Sequence, residues 1–141
     1  MTRWLALVLM LVAMPASALP GDGTYRGRIS CGASLPHPAT GMVHPSWSRD
    51  GFTLSITNGS LRGSAQGQHR SGVRWQETWN GAVRERVSVL AQGSDARNPP
   101  WVYVMTGPLP TNRELVLHGT MYVMDQRHRV CEFRGQRVES G

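Results

Sequence analysis

The run Phe52-Thr53-Leu54-Ser55-Ile56-Thr57, followed by Asn58-Gly59 and then Ser60-Leu61-Arg62-Gly63-Ser64-Ala65, constrains the fold of this chain more than any other feature. Apolar and polar residues alternate with a period of two, which sends them to opposite faces of an extended strand. Asn-Gly between two such runs supplies the positive φ angles of a tight hairpin turn. A two-residue loop pairs Thr57 with Ser60. Phe52, Leu54 and Ile56 then share a face with Leu61, Gly63 and Ala65, and the other face is Thr, Ser and Arg.

The same logic extends along the chain. A second hairpin is expected from Val73 to Leu90 around Asn80-Gly81. Only a three-residue bulged loop there puts Val73, Trp75, Trp79, Val83, Val87 and Val89 on one side. That parity places Glu77 and Glu85 on the apolar side and Arg74, Arg84 and Arg86 on the outer one. Further strands are expected over Trp101 to Met105, Glu114 to Met124 and His128 to Arg134, with breaks at Pro99-Pro100 and Pro108 to Asn112. A turn at Asp125-Gln126-Arg127 gives Leu115, Leu117, Met121 and Val123 the same face as Cys131 and Phe133. His118 and His128 then fall on the outer face. In the first strand Tyr25, Gly27, Ile29 and Cys31 face one way, so both cysteines point inward and the first and last strands are expected to pair. The predicted fold is all-β: an antiparallel up-and-down meander of about eight strands, closed or partly open as a barrel, with a two-sheet sandwich as the alternative. The segment Gly32 to Asp50 is too long for a turn and is the candidate lid.

Residues 1–18 have the order of a secretory signal: Arg3, an uncharged run from Trp4 to Met14, then Pro15-Ala16-Ser17-Ala18 as a small-residue cleavage site. The apolar run is too short to span a bilayer as a helix, and no cysteine near the cleavage point can accept lipid, so a soluble periplasmic or secreted protein is expected. Residues 19–141 fit one domain. Its two cysteines, Cys31 and Cys131, are expected to form a disulfide in an oxidising compartment. Every basic residue is arginine. Without Arg3, fourteen arginines oppose nine acids, a net charge of +5, which favours encounters with anionic partners.

Gly23-Thr24-Tyr25-Arg26-Gly27 with Cys31 at the start, and Leu117-His118-Gly119 with Cys131-Glu132-Phe133-Arg134 at the end, resemble small exported alphaproteobacterial β-proteins. The Gly-x-aromatic opening is also loosely similar to that of lipocalin-like barrels, with Tyr25 where those carry Trp. The resemblance implies architecture and carries no activity.

Trp75, Trp79, Trp101 and Tyr25 are expected to wall a cavity for a small apolar ligand, with Glu77 and Glu85 as polar contacts, since unpaired carboxylates are costly to bury. An arginine on a neighbouring strand is the simpler partner for either acid. Arg62, Arg74, Arg84 and Arg86 form a candidate anion patch on the outer face. The histidines lack the paired spacing of zinc sites, and the serines lack a Gly-x-Ser-x-Gly elbow, so no metal, cofactor or catalytic residue is expected. Exposed aromatics do not interleave with the arginines, so nucleic acid is not expected as a partner. The leading expectation is a non-enzymatic periplasmic or secreted small-molecule binding domain. The alternative is an envelope interaction module that meets an anionic surface or partner protein through its arginine face.

Overall fold

The computed structural model describes residue 19 and residues 21–111 and 113–139. The expected signal sequence lies outside the described residues. Eight strands follow in chain order: β1 (Gly23–Cys31), β2 (Trp47–Thr57), β3 (Ser60–Gln68), β4 (Arg74–Val83), β5 (Arg86–Asp95), β6 (Trp101–Pro108), β7 (Glu114–Val123) and β8 (Gln126–Val138). Each pairs antiparallel with the next, and β8 returns to β1, closing the meander into a barrel. Each strand is thereby paired on both sides, although β2 and β3 pair only next to their turn, from Ser55 to Thr57 and from Ser60 to Arg62. Cys31 stands directly opposite Cys131 in the closing pair, and the two form a disulfide.

The first hairpin has the register read from its alternation, with Thr57 opposite Ser60 across Asn58-Gly59. The second does not turn at Asn80-Gly81. β4 runs on to Val83, which pairs with Val87, and the turn falls at Arg84 to Arg86. Gly81 is needed in the strand for close approach: a Cβ there would come within 2.5 Å of the Ser88 carbonyl oxygen and 3.1 Å of Val89 Cγ2. Expected and observed loops both hold three residues, so Trp75, Glu77, Trp79, Val83, Val87 and Val89 keep their inward side, while Val73, expected with them, precedes the strand. Glu85 is the other exception, because it sits exposed in the turn itself.

Two bulges reset the alternation. In β2, Gly51 adopts φ 72° and the register against β1 shifts between Gly27 and Ile29. Trp47 and Arg49 on one side of the bulge thereby share the inner face with Phe52, Leu54 and Ile56 on the other. The segment from 47 to 50, expected as loop, is strand. In β8 the turn is the two residues Met124-Asp125, and a register shift between Met121 and Tyr122 leaves His128 as the extra residue. Arg129, Cys131 and Phe133 face inward beyond it, and His128 tips to the barrel mouth instead of the outer face.

Tyr25, Leu54, Ile56, Leu61, Val87, Met105, Leu115, Leu117 and Phe133 are fully buried. Each such side chain contributes roughly 1.5–3 kcal/mol by leaving water. Across the middle, Trp79 stacks on Tyr103 with ring centroids 5.0 Å apart and packs against Phe52 at 4.9 Å, while Phe52 meets Phe133 edge-on at 5.7 Å. This layer fills the lumen on the side where β1 begins. The opposite end, where β2, β4, β6 and β8 begin, stays open.

Candidate functional site

The open end holds a pocket with a volume of about 580 Å³. Trp47 and Arg49 from β2, Trp75 and Glu77 from β4, Trp101 and Tyr103 from β6, Met121 and Val123 from β7 and Arg129 from β8 line it. His44, His69, Asp95, Asn98, Pro99 and His128 complete the rim. The size lies within the ordinary range for small-molecule sites.

Glu77 forms the base and is only 3 % exposed. Its Oε1 accepts from Arg49 Nη2 at 2.6 Å and from Trp79 Nε1 at 3.4 Å, and its Oε2 accepts from Trp101 Nε1 and Tyr103 Oη, both at 2.8 Å. Four donors therefore saturate one carboxylate, which makes its burial tolerable. Burial, reinforced by the neighbouring Glu77 charge, pushes the Tyr103 phenol far above its ordinary range, so it acts only as a donor.

Glycines position the walls. Gly93 pairs with Glu77 on one side and Trp101 on the other. The Trp101 indole lies over it closely enough that a Cβ at Gly93 would come within 2.0 Å of Nε1. Trp75 covers its own cross-strand partner Gly67 in the same way, with the ring 2.6 Å from where a Cβ would be. Both indoles occupy the space that a side chain at the glycine would take, and the pocket lies beside them. The Arg49 guanidinium rests over the Trp75 ring at 4.3 Å and the Trp47 ring at 5.0 Å, cation–π contacts that add to its ion pair with Glu77.

On the far wall Arg129 is 8 % exposed. Its Nη1 donates to the carbonyls of Gly32 and Pro45, both at 2.8 Å. These are the two roots of the segment 32–46, which is further tied by Ser34 to His44 and by His37 to Met42. The His128 ring stands 6.1 Å from that of His44. Burial, with Arg129 and His44 adding to it, lowers the His128 pKa and keeps the imidazole neutral at pH 7. Across the mouth, Asp95 accepts from the side chain and amide of Asn98, the amide of Arg97 and His69 Nε2, which hold its carboxyl well below the usual range.

The residues expected to bind ligand separate by height along the barrel. Trp75 and Trp101 are walls of the pocket. Trp79, with no exposed surface, lies beneath it as the floor. Tyr25 belongs to the closed end, where its hydroxyl donates to the Gly21 carbonyl at 2.8 Å. Glu77 is in the pocket with every lone pair engaged, and Glu85 is at the opposite end. The anion patch is likewise divided. Arg74 starts β4 at the mouth, while Arg84 and Arg86 flank the turn at the closed end, about 30 Å away along a strand rising about 3.3 Å per residue. Arg62 donates to Asn80 Oδ1 at 2.5 Å on the outer face.

Sequence reasoning passed over Trp47, Arg49, Tyr103 and Arg129. Trp47-Ser48-Arg49 does alternate, but the bulge at Gly51 breaks its phase with Phe52. Arg129 stands two places before Cys131, on the same face, and that spacing was its only signal.

No family model, no curated protein and no solved structure matches this chain.

Proposed function

We propose that this is an exported, non-enzymatic binding domain that takes a small molecule with a flat apolar portion into the mouth of its barrel. The observation that carries the reading is the pocket lined by Trp47, Trp75 and Trp101, where the Trp75 and Trp101 indoles sit closely over Gly67 and Gly93. A core whose only task is stability fills such a lumen, as the Trp79 layer fills the other half. Here three tryptophans surround space instead. Two polar devices, the Glu77 cluster and the Arg129 clamp, hold the walls and the rim in fixed positions, and a rigid site loses less entropy on binding.

Saturation of Glu77 supports binding over acid–base chemistry, because no oxygen remains to exchange a proton with a substrate. The outward positions of β2, β3 and β4 are mostly Thr, Ser, Gln, Asn, Asp and Arg, and the exposed apolar residues Leu90, Val104 and Val130 lie on β5, β6 and β8. Among the described residues, therefore, no apolar band runs around the whole barrel as in a membrane-spanning one. The leader-like first eighteen residues and the disulfide support a periplasmic or secreted location.

Native mass spectrometry of the protein isolated gently from its source tests the reading. A stoichiometric additional mass that leaves on mild activation is the expected result. Protein that carries no ligand, and takes up none from an extract of its own envelope, overturns it.

A further inference from the structure

We infer that the ligand carries an anionic group, a carboxylate, sulfonate or phosphate, and that Arg129 reads it at the rim of the pocket while the apolar body lies against the tryptophans. The inference rests on the binding reading just proposed and adds the ligand's charge to it.

The first support is that Arg129 has no counter-ion inside the mouth. All nine acidic residues of the chain fall among the described ones. Two of them line the pocket, and the oxygens of both are engaged elsewhere: Glu77 by Arg49 and three further donors, Asp95 by the backbone amides of Arg97 and Asn98, the Asn98 side chain and His69. Neither carboxylate pairs with Arg129. The arginine is more than nine-tenths buried and forms no ion pair among the described residues. A buried charge with no counter-ion is costly, and proteins keep one where something else supplies the opposite charge.

The second support is the guanidinium's own geometry. Arginine has five N–H donors, two of them on Nη1. Both Nη1 donors are used by the carbonyls of Gly32 and Pro45, which fixes the plane of the group. Nε and Nη2 make no hydrogen bond among the described residues, yet neither is sealed from solvent. That edge is the planar fork that meets a carboxylate or phosphate through two parallel bonds. Arg49 offers no such edge, because its Nη2 is on Glu77 and its Nε is buried. The neutral imidazole of His128 beside Arg129 adds a second hydrogen-bonding group for the anion without repelling the arginine.

A matched pair of probes isolates the anionic group. 8-Anilinonaphthalene-1-sulfonate and N-phenyl-1-naphthylamine share one aromatic body, and only the first bears a sulfonate. Fluorescence titration of the wild-type protein is expected to give a Kd for the sulfonate at least tenfold below that of the neutral probe, the usual scale of a charge-assisted bond. R129Q is expected to bring the two within about threefold, and R129K to keep part of the preference. R62Q removes the same charge from the outer face and is expected to leave the preference as in wild type, so net charge alone is controlled.

Equal binding of both probes by the wild type overturns the anion assignment and leaves the pocket reading standing. So does a preference that survives in R129Q. If neither probe binds, or if both ignore the replacement of Trp75 by alanine, the pocket reading fails as well. Should R129Q not fold, the wild-type comparison together with R129K decides the matter.

Discussion

Trp101 donates its indole N–H to Glu77 at 2.8 Å by reaching across Gly93, the residue that pairs with both of them. The bond exists because the residue between them has no side chain. Gly93→Ala places a Cβ against the indole nitrogen and displaces the ring. It is expected to destabilise the protein by roughly 1–3 kcal/mol, the scale of overpacking. The tryptophan emission should shift to the red as Trp101 meets water. A denaturation midpoint and an emission spectrum equal to wild type would show that the indole does not need the gap.

Glu77 is the common acceptor for Arg49, Trp79, Trp101 and Tyr103, so its loss strands several buried donors at once. Glu77→Leu is expected to cost about 2–4 kcal/mol, since the part-buried Arg49 keeps no counter-ion and the buried Trp101 and Tyr103 donors lose their acceptor. Replacing Arg49 by methionine in the same chain should recover much of that loss, because a pair of apolar side chains strands less than a lone cation does. The double-mutant cycle from urea denaturation measures the coupling. Simple additivity of the two single variants would mean that the ion pair holds nothing together.

The Cys31–Cys131 bridge closes a loop spanning a sequence separation of 100. In the chain-entropy account, a loop of that length is worth about 4–5 kcal/mol through the unfolded state. Replacing both cysteines by alanine is expected to lower the urea midpoint accordingly, while β1 and β8 remain paired. Circular dichroism at low denaturant would detect a barrel that no longer closes.

Stability is expected to fall as the pH drops below 6.5 toward 5. The His128 imidazole has a pKa below its ordinary 6.5 in the folded protein. Above 6.5 both folded and unfolded chains hold it neutral, and it contributes no pH dependence. Below 6.5 the unfolded chain binds a proton that the folded one refuses, so unfolding is favoured until the lowered folded pKa is passed. Asp95, whose pKa is also lowered, acts in another window. Its stabilisation is complete above the ordinary 3.8 and is lost only as pH falls below that. His128→Asn should flatten the Tm profile between pH 5 and 6.5, and a profile as steep as wild type would assign the effect elsewhere.

The β7–β8 turn carries two non-glycine residues at positive φ, Met124 at 51° and Asp125 at 61°. Side chains adopt this region at a cost, and Asn-Gly suits a two-residue hairpin turn far better. Met124→Asn with Asp125→Gly is expected to raise stability by about 0.5–1 kcal/mol. Thermal unfolding measures the gain, and an unchanged Tm would mean that the turn is already relaxed.

By itself, alternation along the chain set the inward faces of the regular strand segments, but not those beyond the bulges at Gly51 and His128 or at the Arg84 to Arg86 turn. Alternation of apolar and polar side chains is a local property, set by the two-residue period of a strand and the number of residues in each turn. That is why Trp75, Glu77, Trp79 and Val87 were read as inward-facing although the turn between their strands was placed four residues too early. It also brought Cys31 and Cys131 to one side of strands that then paired. What alternation cannot convey is height along the barrel axis. Trp75 and Trp79 point the same way, yet one is a wall of the pocket and the other is its floor, and Tyr25 closes the opposite end. Height follows from how eight strands are staggered around a closed sheet, which no single strand contains. The polar heart of the pocket was hidden for the same reason. An inward arginine contradicts the local pattern until its partner is known, and the partners of Arg49 and Arg129 lie 28, 84 and 97 residues away in the chain. Only the closed barrel brings them together, because a buried charge is tolerable only where the fold has already placed its acceptors.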